Sequence, residues 1–369
     1  MVKYVVFHPW KALTIVVLGG MLGLGAFYAY QVGSAFAAVA VEDFDPADAR
    51  SDIAASEQPV AGTPPVRLAE FYDEPRYDLE AELARIAEQT ESAGPYEEPF
   101  NVAAVGAPID DGVFEAYLLV GTDASGFLAD TIILALQPNA GGAPIMVSLP
   151  RDLYVWNACK EVFTRLNTGL GGCSGSASGV ELLAIMVEDY TGIPVDHLAR
   201  VNFDGFARVV DVMGGIDVCI DYPTRDVKSH LMMATVGCQR VDGATALAWV
   251  RSRHPEHLVD GEWRPAGGSD FTRQRRQQDV LFQLAGRAAS FSSPGSLAQR
   301  LSAVASAVRF DSGWSFGDAV GTAWRYRGIS KSDVRRFDIE VRNYRTSYGA
   351  AVLLPRIAFA DQLSQVHGG

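Results

Sequence analysis

Two carboxylates, Asp123 and Asp130, bracket the short stretch GTDASGFLADT between the apolar runs AYLLV and IILAL. A third acid, Asp152, follows Arg151 in SLPRD, just after another apolar run. Arg251 and Arg253, with His254 beside them, end the segment DGATALAWVRSRH, and DFTRQRRQQ carries Asp270, Arg273, Arg276 and Gln277. Positions 270, 273 and 277 fall at i, i+3 and i+7, and 273 and 276 at i and i+3, so a helix presents them on one face. Carboxylate oxygens suit Mg2+, which keeps several waters and takes one or two carboxylates together with substrate phosphates. The planar fork of arginine matches phosphate oxygens two at a time, which an ammonium does not. Acids and arginines gathered at element ends therefore fit a pyrophosphate held through a divalent cation, with arginines neutralising charge on the leaving group. Each feature also has a plainer reading. Asp is common in turns, and a charged helix stretch is usually a solvated face. Arginine makes up 26 of the 31 basic residues, which a GC-rich genome would also produce. Position separates the readings better than composition, because α/β sheets bind ligands at the ends of their strands.

Two absences narrow the chemistry. No lysine follows a glycine, so there is no GxxxxGK phosphate loop, and no GxGxxG follows a strand pattern. The Gly-rich GGCSGSASG places no serine in a GxSxG elbow and reads as a disulfide-tethered loop.

The elements that must position these residues follow from periodicity. FEAYLLVG, DTIILALQP and APIMVSLPRD read as strands covered on both faces. SGVELLAIMVEDYTG reads as a helix capped by Ser178 and stopped at Gly192. HLARVNF is a strand, DGFARVVDVMGG a helix capped by Asp204, and IDVCI a strand. DGATALAWVRSR and a long segment from Ser269 or Asp270 are helices, and VRRFDIEV is a later strand. Strand–helix alternation of this kind predicts an α/β fold, an α-β-α sandwich around a mainly parallel or mixed sheet.

Residues 12–41 carry no charge, and the run exceeds the ~20 apolar residues that cross a bilayer. Lys3 and Lys11 precede it, so the positive-inside bias puts the N-terminus in the cytoplasm and the rest of the chain outside. SAFAAVA also fits a cleaved signal peptide, although so long a run favours a retained anchor. The expected organisation is a cytoplasmic stub (1–11), a transmembrane anchor (12–41), an acidic tether (42–112), a catalytic domain (113–290) and a C-terminal extension packed on it (291–369). Between residues 42 and 115 nineteen acids face four arginines, whereas residues 116–369 hold 25 of each sign, so the net charge of −13 describes the tether. Within the tether, YDLEAELARIAEQTE has helical spacing. The cysteines Cys159, Cys173, Cys219 and Cys238 form no CxxC pair. Outside the cell an even count suggests disulfides, and proximity pairs Cys159 with Cys173 and Cys219 with Cys238, each contributing ~3 kcal/mol.

The segments LLVGTD…ADTIIL, SLPRDLYV, TRLNTG, TGIPVDHLARVNFDGFARVVDVMGGIDVCI, DGATALAWVRSRH and DFTRQRRQQ occur, over roughly residues 115–290, in an order and spacing that resembles the LytR–CpsA–Psr family. The resemblance implies a Mg2+-dependent phosphotransferase of an actinobacterial-type envelope. It would move a glycopolymer phosphate from a polyprenyl-pyrophosphate carrier to peptidoglycan, with the membrane but no nucleic acid as a partner. By position it implies that Asp123 and Asp130 associate with the metal, one of them accepting the incoming hydroxyl's proton. Arg151 would be the central pyrophosphate-binding arginine, with Asp152 beside it and Arg251, Arg253, Arg273, Arg276 and Gln277 completing the pocket. The helices at 178–190 and 204–213 would line a lipid tunnel, or be ordinary core. The chain departs from the family pattern at Ser125 and at Leu128 or Ala129, where arginines are usual. At ~1.5–3 kcal/mol per charge-assisted contact, that loss weakens pyrophosphate binding unless Arg165 or Lys160 compensates. It also leaves open a non-catalytic polyprenyl-phosphate-binding scaffold, or a pyrophosphohydrolase acting on the same lipids.

Overall fold

The computed structural model describes residues 40–56, 109, 112–123, 126–267, 270–288, 300, 304–313, 318, 321–322, 331–346 and 349–367. The strands are β1 (Ala40–Glu42), β2 (Phe114–Thr122), β3 (Ala129–Pro138), β4 (Ile145–Ser148), β5 (Tyr154–Asn157), β6 (Val162–Arg165), β7 (His197–Asn202), β8 (Ile216–Ile220), β9 (Thr224–Asp226), β10 (Leu231–Met233), β11 (Gly237–Val241), β12 (Glu256–Val259), β13 (Glu262–Pro265), β14 (Val308–Asp311), β15 (Arg335–Asp338), β16 (Val341–Arg345) and β17 (Ala351–Pro355). The helices are α1 (Pro46–Ser56), α2 (Gly179–Thr191), α3 (Phe203–Val212), α4 (Gly243–Arg251), α5 (Asp270–Ala288) and α6 (Phe359–His367).

Seven strands form the central sheet in the order β1-β14-β7-β2-β3-β4-β15. β2 runs parallel to β7 and antiparallel to β3, so the sheet is mixed, as the alternation predicts. Because side chains alternate across a strand, β2 sends Ala116, Leu118 and Val120 into one core cluster with α2. Leu119 and Gly121 face the other side, where α3, α4 and α5 lie. Helices therefore cover both faces.

Local sequence explains the helix ends. Ser178 accepts from the Glu181 amide while the Glu181 carboxylate accepts from the Ser178 amide, a reciprocal cap. Gly192 ends α2 in the left-handed region at φ 71°. For α3 the cap is Asn202, which accepts from the Gly205 amide at 2.8 Å, and not the expected Asp204. Gly243 lets α4 lie against α3, since a Cβ there would stand 2.1 Å from the Ala207 carbonyl oxygen. Both disulfides join the cysteines that proximity paired, Cys159–Cys173 and Cys219–Cys238.

Three boundaries differ from expectation. Ala40 and Val41, expected to end the anchor, lie in β1 and pair parallel with β14. Residues 46–56, expected as tether, form α1, which buries Ala49 and Ile53 against the core cluster of α2. Its Arg50 reaches Glu188 at 3.1 Å and Asp189 at 2.7 Å, so the acids of α2 recruit a segment whose composition reads as linker. In the expected C-terminal extension, β14 and β15 are strands of the central sheet itself, and VRRFDIEV is split between β15 and β16. Residues 12–39 of the expected 12–41 span, the cytoplasmic stub, the helical stretch YDLEAELARIAEQTE, Ser125 and the cap candidate Ser269 lie outside the described residues. Among the described residues no helix is long and apolar enough to cross a membrane.

Candidate active site

On the helix-α5 face of the sheet lies a cavity of ≈ 1020 Å³, counting its open mouth. Its walls are apolar: Leu119 and Ile133 from the sheet, Phe203, Phe206 and Val209 from α3, Leu247 and Val250 from α4, and Leu281 and Leu284 from α5. Asp130, Arg251, Arg273 and Gln277 contribute the charged and amide groups of the lining, with Arg200 and Asn202 from β7. Gly121 sits at the same end, opposite Thr131; a Cβ on it would stand 3.0 Å from the Thr131 Cβ, so a larger residue would crowd the mouth.

Each group at the mouth is held by its element. Arg251 ends α4 and lies over the Phe203 ring, its guanidinium carbon 4.4 Å from the centroid, a favourable cation–π arrangement. Arg273, 3% exposed, and Gln277 stand one turn apart on α5. The Gln277 side-chain amide donates to the Val250 carbonyl at 3.4 Å, joining α5 to α4. Gln278, from the next position, donates to Ser148 Oγ at 2.8 Å and fixes α5 on the sheet.

Asp130 connects this mouth to a second group. Arg151 Nη1 donates to Asp130 Oδ1 at 2.5 Å. Arg151 Nε lies 3.6 Å from Asp152, whose other oxygen is 3.5 Å from Arg165. All but Arg165 are roughly three-quarters buried, so the Asp130–Arg151–Asp152–Arg165 chain alternates charge in a partly dry setting. Asn167, at 6% exposure, donates its backbone amide to the Arg151 carbonyl, and its Oδ1 is buried with no hydrogen-bond partner among the described residues. Asp123 stands at the other end of the loop, where its Oδ1 accepts from the Gly126 amide at 2.9 Å. That bond is the turn-capping role its residue type allows.

Mg2+ is compatible with this donor set. Among the described residues no group of three or more His, Cys, Asp or Glu stands together, so a cation here draws on two carboxylates at most. Mg2+ commonly completes such a set with water and phosphate oxygens. Asp123 and Asp130 supply hard oxygens, each with one oxygen committed to a protein donor.

Arg253 and Arg276 take a different position. Neither lines the cavity. Arg276 lies over the Trp249 ring at 4.0 Å and donates to the Ser252 carbonyl at 3.2 Å. Burial pushes its guanidinium pKa down, against a smaller opposing pull from Asp226. The Arg253 amide bonds Asp226 Oδ2 at 2.9 Å. Asp226 is the residue that sequence reasoning missed. It is 1% exposed and accepts from the amides of Lys228, Ser229, Arg253 and His254 and from Ser252 Oγ. Burial pushes its carboxyl up, but these hydrogen bonds outweigh burial and hold it below its ordinary value. Asp226 thereby fixes the turn that follows Arg251. Its only sequence signal is an acid ending a short strand in PTRDVKSH, a pattern too common to stand out.

The helices expected along a tunnel divide. α3 lines the cavity, whereas α2 is core on the opposite face. At the departures from the family pattern, Ala129 is fully buried in β3 and cannot stand for an outward arginine. Leu128 is 47% and Phe127 70% exposed, so the loop presents apolar side chains beside Asp130. Arg165 joins the Asp152 side of the site, while Lys160 is exposed.

The family model described as LytR_cpsA_psr matches residues 77–364. The probable cell wall biosynthesis protein LcpB of Corynebacterium glutamicum is 37% identical over 124 residues, covering 34% of this chain and 28% of that protein. The polyisoprenyl-teichoic acid–peptidoglycan teichoic acid transferase TagU of Bacillus cereus is 29% identical over 195 residues, covering 52% and 58%. The chain thus spans less than two thirds of the length of these relatives. Among solved structures, the LytR-Csp2A-Psr enzyme from Actinomyces oris superposes with a TM-score of 0.55 at 27% identity, covering 70% of this chain and 95% of that one.

Proposed function

The chain belongs to the LytR_cpsA_psr family, and on that premise we propose that it transfers a glycopolymer phosphate from a polyprenyl-pyrophosphate carrier to peptidoglycan. The observation that carries the reading is an apolar cavity whose lining includes Arg251, Arg273 and Asp130, with Arg151 bonded to that acid. A polyprenyl pyrophosphate has the matching form: an apolar chain ending in a concentrated negative charge. The similarity to TagU, by name a transferase between a polyisoprenyl-linked teichoic acid and peptidoglycan, supports the same reading.

The prenyl chain occupies the cavity and the pyrophosphate meets the arginines. An acceptor hydroxyl attacks the phosphorus that bears the glycan. The bond from that phosphorus to the bridging oxygen breaks, polyprenyl monophosphate leaves, and a phosphodiester to the acceptor remains. Asp123 or Asp130 accepts the hydroxyl proton. Arg251, Arg273 and Arg151 neutralise charge growing on the leaving phosphate, a contribution that a partly dry mouth strengthens. Asp123 and Asp130 are the residues that would hold Mg2+, which when bound supplies further charge neutralisation on the pyrophosphate oxygens. The apolar run at 12–39 would anchor the chain, with its N-terminus cytoplasmic and the catalytic domain in an oxidising exterior that suits the two disulfides.

The test is release of polyprenyl monophosphate and transfer of the glycopolymer phosphate to peptidoglycan by the full chain in detergent, with a polyprenyl-pyrophosphate-linked glycan donor, with Mg2+ or with EDTA. Arg151→Ala should lower transfer by about 10²–10³-fold, and EDTA should abolish it. Donor binding without turnover would sink the transferase reading, and full turnover in EDTA would sink the metal assignment.

A further inference from the structure

Between the acids Asp123 and Asp130 the chain presents two adjacent apolar side chains to solvent. Phe127 is 70% and Leu128 47% exposed, and the stretch ASGFLA that separates the acids holds no charge. Single exposed apolar residues are ordinary on a protein surface, whereas clustered ones mark a contact with a partner or a membrane. The backbone here is fixed: the Asp123 amide donates to the Leu128 carbonyl at 3.2 Å, and the Gly126 amide to Asp123 Oδ1 at 2.9 Å. A closed turn therefore holds the pair outward.

The strand registers relate this turn to the point where the N-terminal run enters the fold. Residues 12–39 carry no charge, and Ala40 already belongs to β1, with no residue between. Cross-strand partners link Ala40 to Arg309, Arg309 to Arg200, Arg200 to Val120 and Val120 to Ile132. That row spans four strand spacings, about 19 Å. β1 is parallel to β14, β14 antiparallel to β7, β7 parallel to β2, and β2 antiparallel to β3. The chain accordingly enters β1 from the end of the sheet at which β2 finishes and β3 begins. The same end carries Asp123, Phe127, Leu128 and Asp130. Twist fans the strand directions but leaves the row in place. At the entry point Val41, 56% exposed, adds to the apolar surface.

We propose that Phe127, flanked by Leu128, dips into the surface of the bilayer that holds the N-terminal run, a second membrane contact that keeps the Asp130 end of the sheet at the lipid. This contact rests on the anchor and the lipid-linked donor of the function proposed above. The occupant follows from where the run ends. A chain held in the bilayer up to residue 39 keeps Ala40 at the lipid surface, and the turn stands at the same end of the sheet, about 19 Å to the side. Phe and Leu gain by leaving water in proportion to the apolar area removed, and the uncharged stretch brings no ion to desolvate. A donor carried in the membrane then reaches Asp130 without crossing water.

The test reconstitutes the full chain in phospholipid nanodiscs that contain a photoactivatable diazirine lipid, and maps the crosslinks by mass spectrometry. The peptide with Phe127 and Leu128 should be labelled several-fold more than the peptide with Val227, which is 71% exposed on the turn after β9. Labelling at or below the Val227 level would overturn the inference, and a second copy or another protein covering Phe127 would give that result. Turnover is read as kcat/KM for release of polyprenyl monophosphate from a polyprenyl-pyrophosphate-linked glycan held in the same nanodisc. A water-soluble short-chain donor runs beside it. Phe127→Ser should lower the first about fivefold and leave the second within about twofold, while Phe127→Trp should leave both within about twofold. Equal losses on both donors, or no loss on either, would overturn the docking role and leave the transferase reading intact. A chain that is labelled at Phe127 but turns over neither donor would overturn the transferase reading and leave the membrane contact standing.

Discussion

On the α2 face of the central sheet, Leu118, Val120, Leu134 and Leu136 meet Leu182, Leu183 and Met186, all at 0–1% exposure. On the opposite face of the same sheet, Leu119 and Val201 meet Phe206 and Leu247 across open space. The residue types are alike and the occupancy is not. Hydrophobicity therefore does not separate a packed core from a ligand cavity. The difference arises from where the helices find their partners. α2 lies directly on the sheet, whereas α3 and α4 pack on each other through Gly243 and line the open cavity with Phe206, Val209, Leu247 and Val250.

The largest test of this contrast is at the mouth. Arg251→Ala should reduce transfer by about 10²–10³-fold, whereas Arg276→Ala, removed from the cavity over Trp249, should change it by no more than about threefold while lowering Tm. Equal losses in activity would mean that the arginines act as one cluster. Next is a paired truncation across the sheet, read by urea unfolding. Leu118→Ala should cost about 3 kcal/mol, the expense of a new cavity in a filled core, and Leu119→Ala about 1 kcal/mol, since its side already opens on space. Similar costs would show the second face to be packed.

Asp226→Asn should cost about 2 kcal/mol by weakening the turn that sets Arg251. Because hydrogen bonding holds the folded carboxyl below its unfolded pKa of about 3.9, this stabilisation is complete at neutral pH and is lost as pH falls through the folded pKa. The Tm gap between variant and wild type should therefore narrow below about pH 4; a gap constant down to pH 2 would contradict the assignment. The smallest effect concerns the loop. Leu128→Arg, at a half-exposed position, should leave stability within about 0.5 kcal/mol and tighten prenyl-pyrophosphate binding by about tenfold, one charge-assisted contact. No gain would indicate that Arg165 already fills the role.

Much of the scaffold was legible in local sequence. Apolar runs located β2 and β3, Ser178 and Gly192 bounded α2, and short separations paired the cysteines. Around the site, Arg251, Arg273, Gln277 and Asp130 do converge. Asp226 was invisible because its role depends on the Ser252 hydroxyl and the Arg253 and His254 amides, 26 to 28 residues further on. Helix α1 was misread as tether because its partners Glu188 and Asp189 lie more than 130 residues away.

The sequence by itself determined the periods, the caps and the inventory of charged groups, because each depends on neighbours within a turn or a strand pair. Only the tertiary structure decided which arginines face the cavity. Arg273 and Arg276 are three residues apart on one helix, close enough in angle that periodicity assigns them to the same face. Trp249 and the Ser252 carbonyl, supplied by α4 and the turn after it, draw Arg276 one way, while Arg273 faces the open side. Whether an apolar face is filled is likewise set by the distance between layers, a quantity to which residues from the whole chain contribute and which no single segment encodes.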